Sequence, residues 1–323
     1  MKWPLRIGLI LLLVLAAAVA VIQCWRPGLA DYAAHRYPDS PIPPGALTAT
    51  WFGVTAVLLR DGQHAVMADP FFSRPPGMLN ALLNRRIEPD EARISAWLQR
   101  AGVEHLDAVL VSHSHYDHAM DAGAVARLTG ATLLGSESSL NIGRGAGLPE
   151  SQLRRVEPGA RYPFGSFGVR FIESAHAGAT GGRPTGEIDA PLVPPARYLD
   201  YRLGGTYSIV VEHPQGRVLL HGSAGFRPGM LRGERADLVF LGVAAVDDLE
   251  TYLRETVGTV GARRVIPTHW DDFWRPLEQP LRPLPLSRLD HILAGLRAHP
   301  ELRVQTLEPG QTVALFQASS SPE

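Results

Sequence analysis

Lysine is almost absent from this chain: Lys2 is the only one, and arginine supplies 30 of the 31 cationic side chains. The 32 acidic residues bring the net charge to −1, and no basic run or face is apparent. That excludes the electrostatic footprint of a nucleic-acid binder. Cysteine is as scarce. Cys24 stands alone, so no intrachain disulfide can form, and a structural zinc site built from several thiolates is excluded. What remains is an ordinary globular composition, 45% hydrophobic over 323 residues. One α/β domain of about 270 residues after a leader accounts for that length.

The leader differs in kind from the rest. Lys2 and Arg6 precede Ile7 to Trp25, a run without a charge. As a helix this run would reach about 28 Å, close to the roughly 30 Å hydrocarbon core of a bilayer. The positive-inside bias puts Met1 in the cytoplasm and the remainder outside. Residues 1–26 are read as a retained signal anchor, which gives a transmembrane helix, or as a signal peptide cleaved after Ala18-Val-Ala20. Lipidation at Cys24 is a third reading, although Val21-Ile22-Gln23 lacks the small residues of a lipoprotein signal. The expected location is membrane-anchored with the catalytic domain outside the cytoplasm, or secreted to the periplasm.

Residues 27–47 read as a linker, because Pro27, Pro38, Pro41, Pro43 and Pro44 oppose any regular element. Residues 48–317 alternate short strands with amphipathic helices, which predicts a layered α/β body. Glu88 to Arg100 is one such helix, with Ile94, Trp97 and Leu98 at helical spacing. Residues 318–323 form a tail expected to lack order. Two insertions, Ser73–Arg86 and Ala177–Leu203, are expected beside the site. The first pairs leucines with Arg85 and Arg86, a composition compatible with a lipid contact.

The chemistry concentrates in Val111-Ser-His113-Ser-His115-Tyr-Asp117-His118, directly after the apolar run Leu106 to Val111. A strand that stops in imidazoles and a carboxylate can converge them on one point at its C-terminal end. Those donors suit zinc, and also iron or manganese. The spacing His-x-His-x-Asp-His resembles the signature of the metallo-β-lactamase superfamily. The resemblance extends through Trp51-Phe-Gly53 and Asp69-Pro70, which are similar to the opening hairpin of the phosphodiesterase and lactonase branch. It continues to His176, His269 and Trp270, each after an apolar strand.

The resemblance implies a four-layer αββα sandwich with metal at the edge between two sheets. It implies one site from His113, His115 and His176, a second from Asp117, His118 and His269, and Asp69 as the hydrogen-bond partner that fixes a ligand tautomer. Zinc-activated hydroxide would then attack an ester-like substrate, phosphodiester or lactone, small or lipid-like. An exported metal-binding protein with lapsed catalysis and a β-lactam hydrolase are the alternatives. One position departs from the pattern: Ser223 stands where the family places a metal-bridging aspartate, in Leu220-His221-Gly222-Ser223. The expectation is one firmly bound zinc and a weaker second site, with Asp117 then free to orient water. Ser223 and His221 are expected beside the ligands and not on the metal, His221 as a hydrogen-bonded strand histidine, with partial compensation for the missing carboxylate as the alternative.

Overall fold

Val57, Leu59, Val66 and Ala68 pack into one core, whereas Leu58 and Met67, between them in sequence, pack into another. This alternation is what successive side chains of a strand do when both faces of a sheet are covered. A computed structural model describes residues 2–24, 26–75, 77–178 and 181–316. Helices α1 (Lys2–Cys24) and α2 (Ala30–Ala34) precede the first strand. The chain then runs through β1 (Thr48–Trp51), β2 (Val57–Arg60), β3 (Ala65–Ala68), α3 (Met78–Leu82), β4 (Arg86–Ile87), α4 (Glu91–Arg100) and β5 (Ala108–Leu110). Next come α5 (Tyr116–Ala119), α6 (Ala122–Thr129), β6 (Thr132–Gly135), α7 (Glu137–Gly145), β7 (Leu153–Arg155), β8 (Arg161–Phe164) and β9 (Phe167–Glu173). The second half holds β10 (Ala196–Arg197), β11 (Tyr207–His213), β12 (Gly216–His221), β13 (Leu238–Gly242) and α8 (Leu249–Leu253). It closes with β14 (Arg264–Thr268), α9 (Leu289–Arg297), β15 (Arg303–Val304) and β16 (Thr312–Ala314).

Two seven-stranded mixed sheets result, in the orders β16-β1-β2-β3-β5-β6-β7 and β15-β14-β13-β12-β11-β9-β8. Each is antiparallel on one side and parallel on the other. Val57, Leu59 and Val66 of the first sheet share a core with Phe171, Ile209, Leu220 and Phe240 of the second. Leu58, Met67 and Val109 pack outward with Ile94, Trp97, Val125 and Leu140 of the covering helices. The architecture is the expected αββα sandwich; helix α4 begins at Glu91, later than the expected Glu88, because Asp90 caps it by accepting the Arg93 N–H at 3.0 Å.

The segment 27–47 departs from the expected spacer. Tyr32, on α2, is 2% exposed, and its ring lies 4.3 Å from that of Trp270. Its hydroxyl donates to the Leu307 carbonyl at 2.7 Å, and Tyr37 N–H donates to Thr306 O at 2.8 Å. Arg26 reaches Asp272 at 3.5 Å, both side chains being buried. The prolines do interrupt regular structure, but an aromatic anchor and backbone bonds bind this strap to the body. Ahead of it, Ile7 to Val21 of α1 are exposed. The expected transmembrane span is thus present as a helix, yet among the described residues no helix is long and apolar enough to cross a membrane. Trp25 and the tail 318–323 lie outside the described residues.

If the strap is part of the body, Tyr32→Ala should destabilise the protein by about 3–5 kcal/mol, the usual cost of an aromatic-sized cavity. Tyr32→Phe should cost only about 1 kcal/mol for the lost hydrogen bond. Removing residues 1–24 should leave the urea midpoint unchanged, since Arg26 and Tyr32 stay. A free spacer would show no loss in any of the three.

Candidate metal centre

Five chain segments end at the same edge of the sandwich. Asp69 follows β3, Ser112 and His113 follow β5, His176 lies beyond β9, Ser223 beyond β12, and His269 follows β14. Crevices outside the carboxyl ends of strands are where open α/β sheets place ligands. His115 caps α5 with an extended backbone, and the single turn that follows carries Asp117 and His118 back toward the strand end.

Two triads form. The ligand atoms of His113, His115 and His176 lie within 4.8 Å of one another, and so do those of Asp117, His118 and His269. The triads adjoin, since the His113 and His118 rings are 3.9 Å apart. His113 Nε2 is buried without a hydrogen-bond partner, as a nitrogen reserved for an ion must be. His115 Nε2 is 3.3 Å from the Pro184 carbonyl, which leaves Nδ1 to face the cluster. In the second triad His118 Nε2 is 3.2 Å from His269 Nε2, with Asp117 Oδ2 at 3.7 and 3.4 Å from the two. Three donors aimed at one point, two of them imidazole nitrogens face to face, fit a cation between them.

The protonation states of the first triad and of Asp117 agree. Burial, reinforced by the surrounding imidazoles, holds the His113 pKa well below its usual value, and burial lowers that of His115. Burial first and the neighbouring His115 and His118 next bring His176 down to about 4. All three are therefore neutral at pH 7, the form that ligates. Burial opposes ionisation of Asp117, yet His118 and His269 outweigh it and hold the carboxyl below the usual carboxylate range. Burial lowers His118 as well, but Asp117 and Asp69 reverse the sign and its pKa rises.

Asp69 organises this edge. Its Oδ1 accepts the Ser112 N–H at 2.7 Å, and its Oδ2 accepts Ser112 Oγ–H at 2.6 Å and Thr55 Oγ1–H at 2.8 Å. His118 Nδ1 lies 2.9 Å from Oδ2, and a carboxylate only accepts, so Nδ1 carries the proton and Nε2 faces the triad. Three non-glycine backbones here are left-handed, Val54 (φ 46°), Asp69 (φ 41°) and His269 (φ 57°), and the β-branched Val54 is the most unusual for its type. They are held from outside. His269 N–H donates to Val54 O at 2.8 Å, Val54 N–H donates to Asp271 at 2.8 Å, and Arg74 pairs with Asp271 at 2.6 Å. Gly53 is required there, because a Cβ would sit 1.8 Å from the Arg74 guanidinium.

Two of the sequence candidates lie apart from the triads. Ser223 Oγ accepts the N–H of Ala177 at 2.9 Å and so tethers the loop that carries His176. His221 is buried, its Nδ1 2.7 Å from Ser208 Oγ and its ring 5.5 Å from Tyr252 under α8. Leu220 lines the space between the sheets with Val57 and Ala68, so alternation turns His221 to the outer face, where it is a hydrogen-bonded strand histidine outside the triads. Sequence reasoning missed Thr55, Ser112, Pro184 and the Arg74–Asp271 pair. Ser112 alone carried a signal, standing between the strand and the first histidine.

Comparison with known proteins agrees with this geometry. A UPF0173 metal-dependent hydrolase of Myxococcus xanthus is 27% identical over 280 residues, covering 84% of each chain. A namesake in Pyrobaculum islandicum is 23% identical, over 82% of this chain and 98% of its own. Among solved structures, a metallo hydrolase from Ignicoccus hospitalis superposes with a TM-score of 0.52 at 16% identity, covering 84% of this chain and 100% of that one, a likeness of fold. Residues 49–269 match the family model of the metallo-beta-lactamase superfamily. That match spans more than half of the chain and ends on the last histidine of the second triad, so the chain belongs to the metallo-beta-lactamase superfamily.

Proposed function

We propose that this metal-dependent hydrolase opens an ester-like bond, a phosphodiester or a lactone, with water delivered at the paired triads. The observation that carries the reading is the juxtaposition of three neutral imidazoles with an ionised carboxylate at one strand edge. A bound dication supplies Lewis acidity and a water of lowered pKa. The donor set holds no thiolate, which suits zinc and also iron or manganese. His113, His115 and His176 would hold the ion. Asp117, ionised and the one carboxylate of the two triads, would orient water or take its proton. Asp69 keeps His118 in one tautomer and one orientation. The choice of phosphodiester or lactone rests on the likeness of Trp51-Phe-Gly53 and Asp69-Pro70 to that branch of the superfamily.

The second triad is proposed to bind its ion more weakly than the first. Two dications a few ångströms apart need negative charge to offset their repulsion, and Asp117 is the only carboxylate in the two triads. Ser223 adds none and is already engaged by Ala177. For location, the apolar, exposed side chains Ile7 to Val21 behind Arg6 support a leader that carries the catalytic body out of the cytoplasm.

Three measurements test these readings. Full-length protein should lose hydrolysis of phosphodiester or lactone substrates on chelation and regain it with added zinc. His115→Ala should abolish the activity while leaving the circular dichroism unchanged. Full activity in metal-free protein sinks the proposal, and turnover confined to β-lactams overturns its substrate class. Metal analysis should give nearer one ion than two per chain, rising toward two in Ser223→Asp; two tightly held ions in the unaltered chain would refute the weak second triad. Finally, a reporter that matures only outside the cytoplasm, fused after Glu323, should be active. A silent fusion, with a cytoplasmic reporter active in its place, reverses the topology.

A further inference from the structure

The insertion after Asp69-Pro70 turns large apolar side chains outward. Leu79 and Leu82 on α3 are 65% and 72% exposed, and Leu83 just after it 53%. The segment is not a loose flap. Strand β4 pairs antiparallel with β10, Ile87 opposite Ala196 and Arg86 opposite Arg197. Leu199 N–H donates to Asn84 Oδ1 at 2.9 Å, which brings a fourth leucine, 52% exposed, beside Leu83. A built element thus holds four leucines outward, although burying them would stabilise it.

Charge selects the occupant. Arg85, Arg86 and Arg197 are exposed around the leucines, and among the described residues none of the three pairs with a carboxylate. Arg86 and Arg197 reach only backbone carbonyls, of Pro195 and Asn84. Of the acids in the same segments, Asp200 is turned onto the Arg197 N–H at 2.8 Å, and Glu88 stands alone. Like charges oppose a two-fold contact between copies of such a patch. Leucines rimmed by arginines match the acyl boundary and phosphates of a lipid surface.

We propose that α3, with the β4–β10 pair and Leu199, docks this protein on an anionic bilayer surface. The contact is separate from α1 and requires no membrane-crossing helix. It also has a direction. Tyr198, between Arg197 and Leu199, packs its ring 4.7 Å from that of Tyr116, the residue between His115 and Asp117. Docking through this patch brings the rim of the metal centre to the lipid headgroups.

The test uses the full chain with a polarity-sensitive dye at Leu82→Cys, Cys24→Ser removing the native thiol. The vesicles are phosphatidylcholine alone or mixed with phosphatidylglycerol. The dye should shift to the blue only on the mixed vesicles, and high salt should reverse the shift. The same dye at Gln63→Cys, exposed in the β2–β3 turn at the opposite end of the sheet, should not respond. Arg85→Glu should weaken the response at least tenfold with unchanged circular dichroism. No shift on either vesicle, an equal shift on both, or a shift without lipid that grows with protein concentration would overturn the proposal. The last of these would assign the patch to a second copy.

Discussion

The metal edge of this protein hangs on one buried carboxylate. Asp69 gathers hydrogen bonds from Ser112 backbone and hydroxyl, from Thr55 and from His118, all within 2.9 Å. These partners belong to the opening turn, the end of β5 and the ligand-bearing α5. Charge-assisted bonds in a buried setting are strong, and each broken one leaves an unsatisfied group behind. The left-handed backbone at Asp69 persists because these bonds, together with its N–H on Leu110 O, determine it from several sides. Position of the ligands and strain of the backbone are therefore one constraint.

A second clasp works from the other sheet. His269 leaves β14 in a left-handed turn whose N–H is spent on Val54, and Val54 is fixed in turn by Asp271 and Arg74. The two clasps meet at the turn Gly53-Val54-Thr55, which contributes a bond to each. Ligands from both sheets thus converge because one short turn of the first sheet is bound to both ends of the edge. The sandwich core sets the coarse distance between sheets, and these polar bonds set the fine one.

Much of this was legible in the sequence, and the reasons differ by residue. His113, His115, Asp117 and His118 lie in one octapeptide after an apolar strand, so local spacing sufficed. His176 and His269 could be followed because each trails its own strand. Thr55 and Pro184 were not legible, since their partners lie dozens of residues away and only the fold closes the distance. The segment 27–47 was read as a linker for the same reason: its prolines signal irregular backbone, and irregular backbone can still anchor a core through one ring, that of Tyr32. His221 follows its reading as a hydrogen-bonded strand histidine, with Nδ1 on Ser208, because Leu220 takes the side that faces the other sheet.

The strap from Arg26 to Tyr37 has a mechanical meaning. Its two firmest holds, Tyr32 on Trp270 and Arg26 on Asp272, bracket the residues that immediately follow His269. Any load applied through helix α1 passes through this stretch before it reaches the sheets. Helix α1 and the metal edge are thus joined by a tendon whose insertion point, Trp270, is one residue from His269.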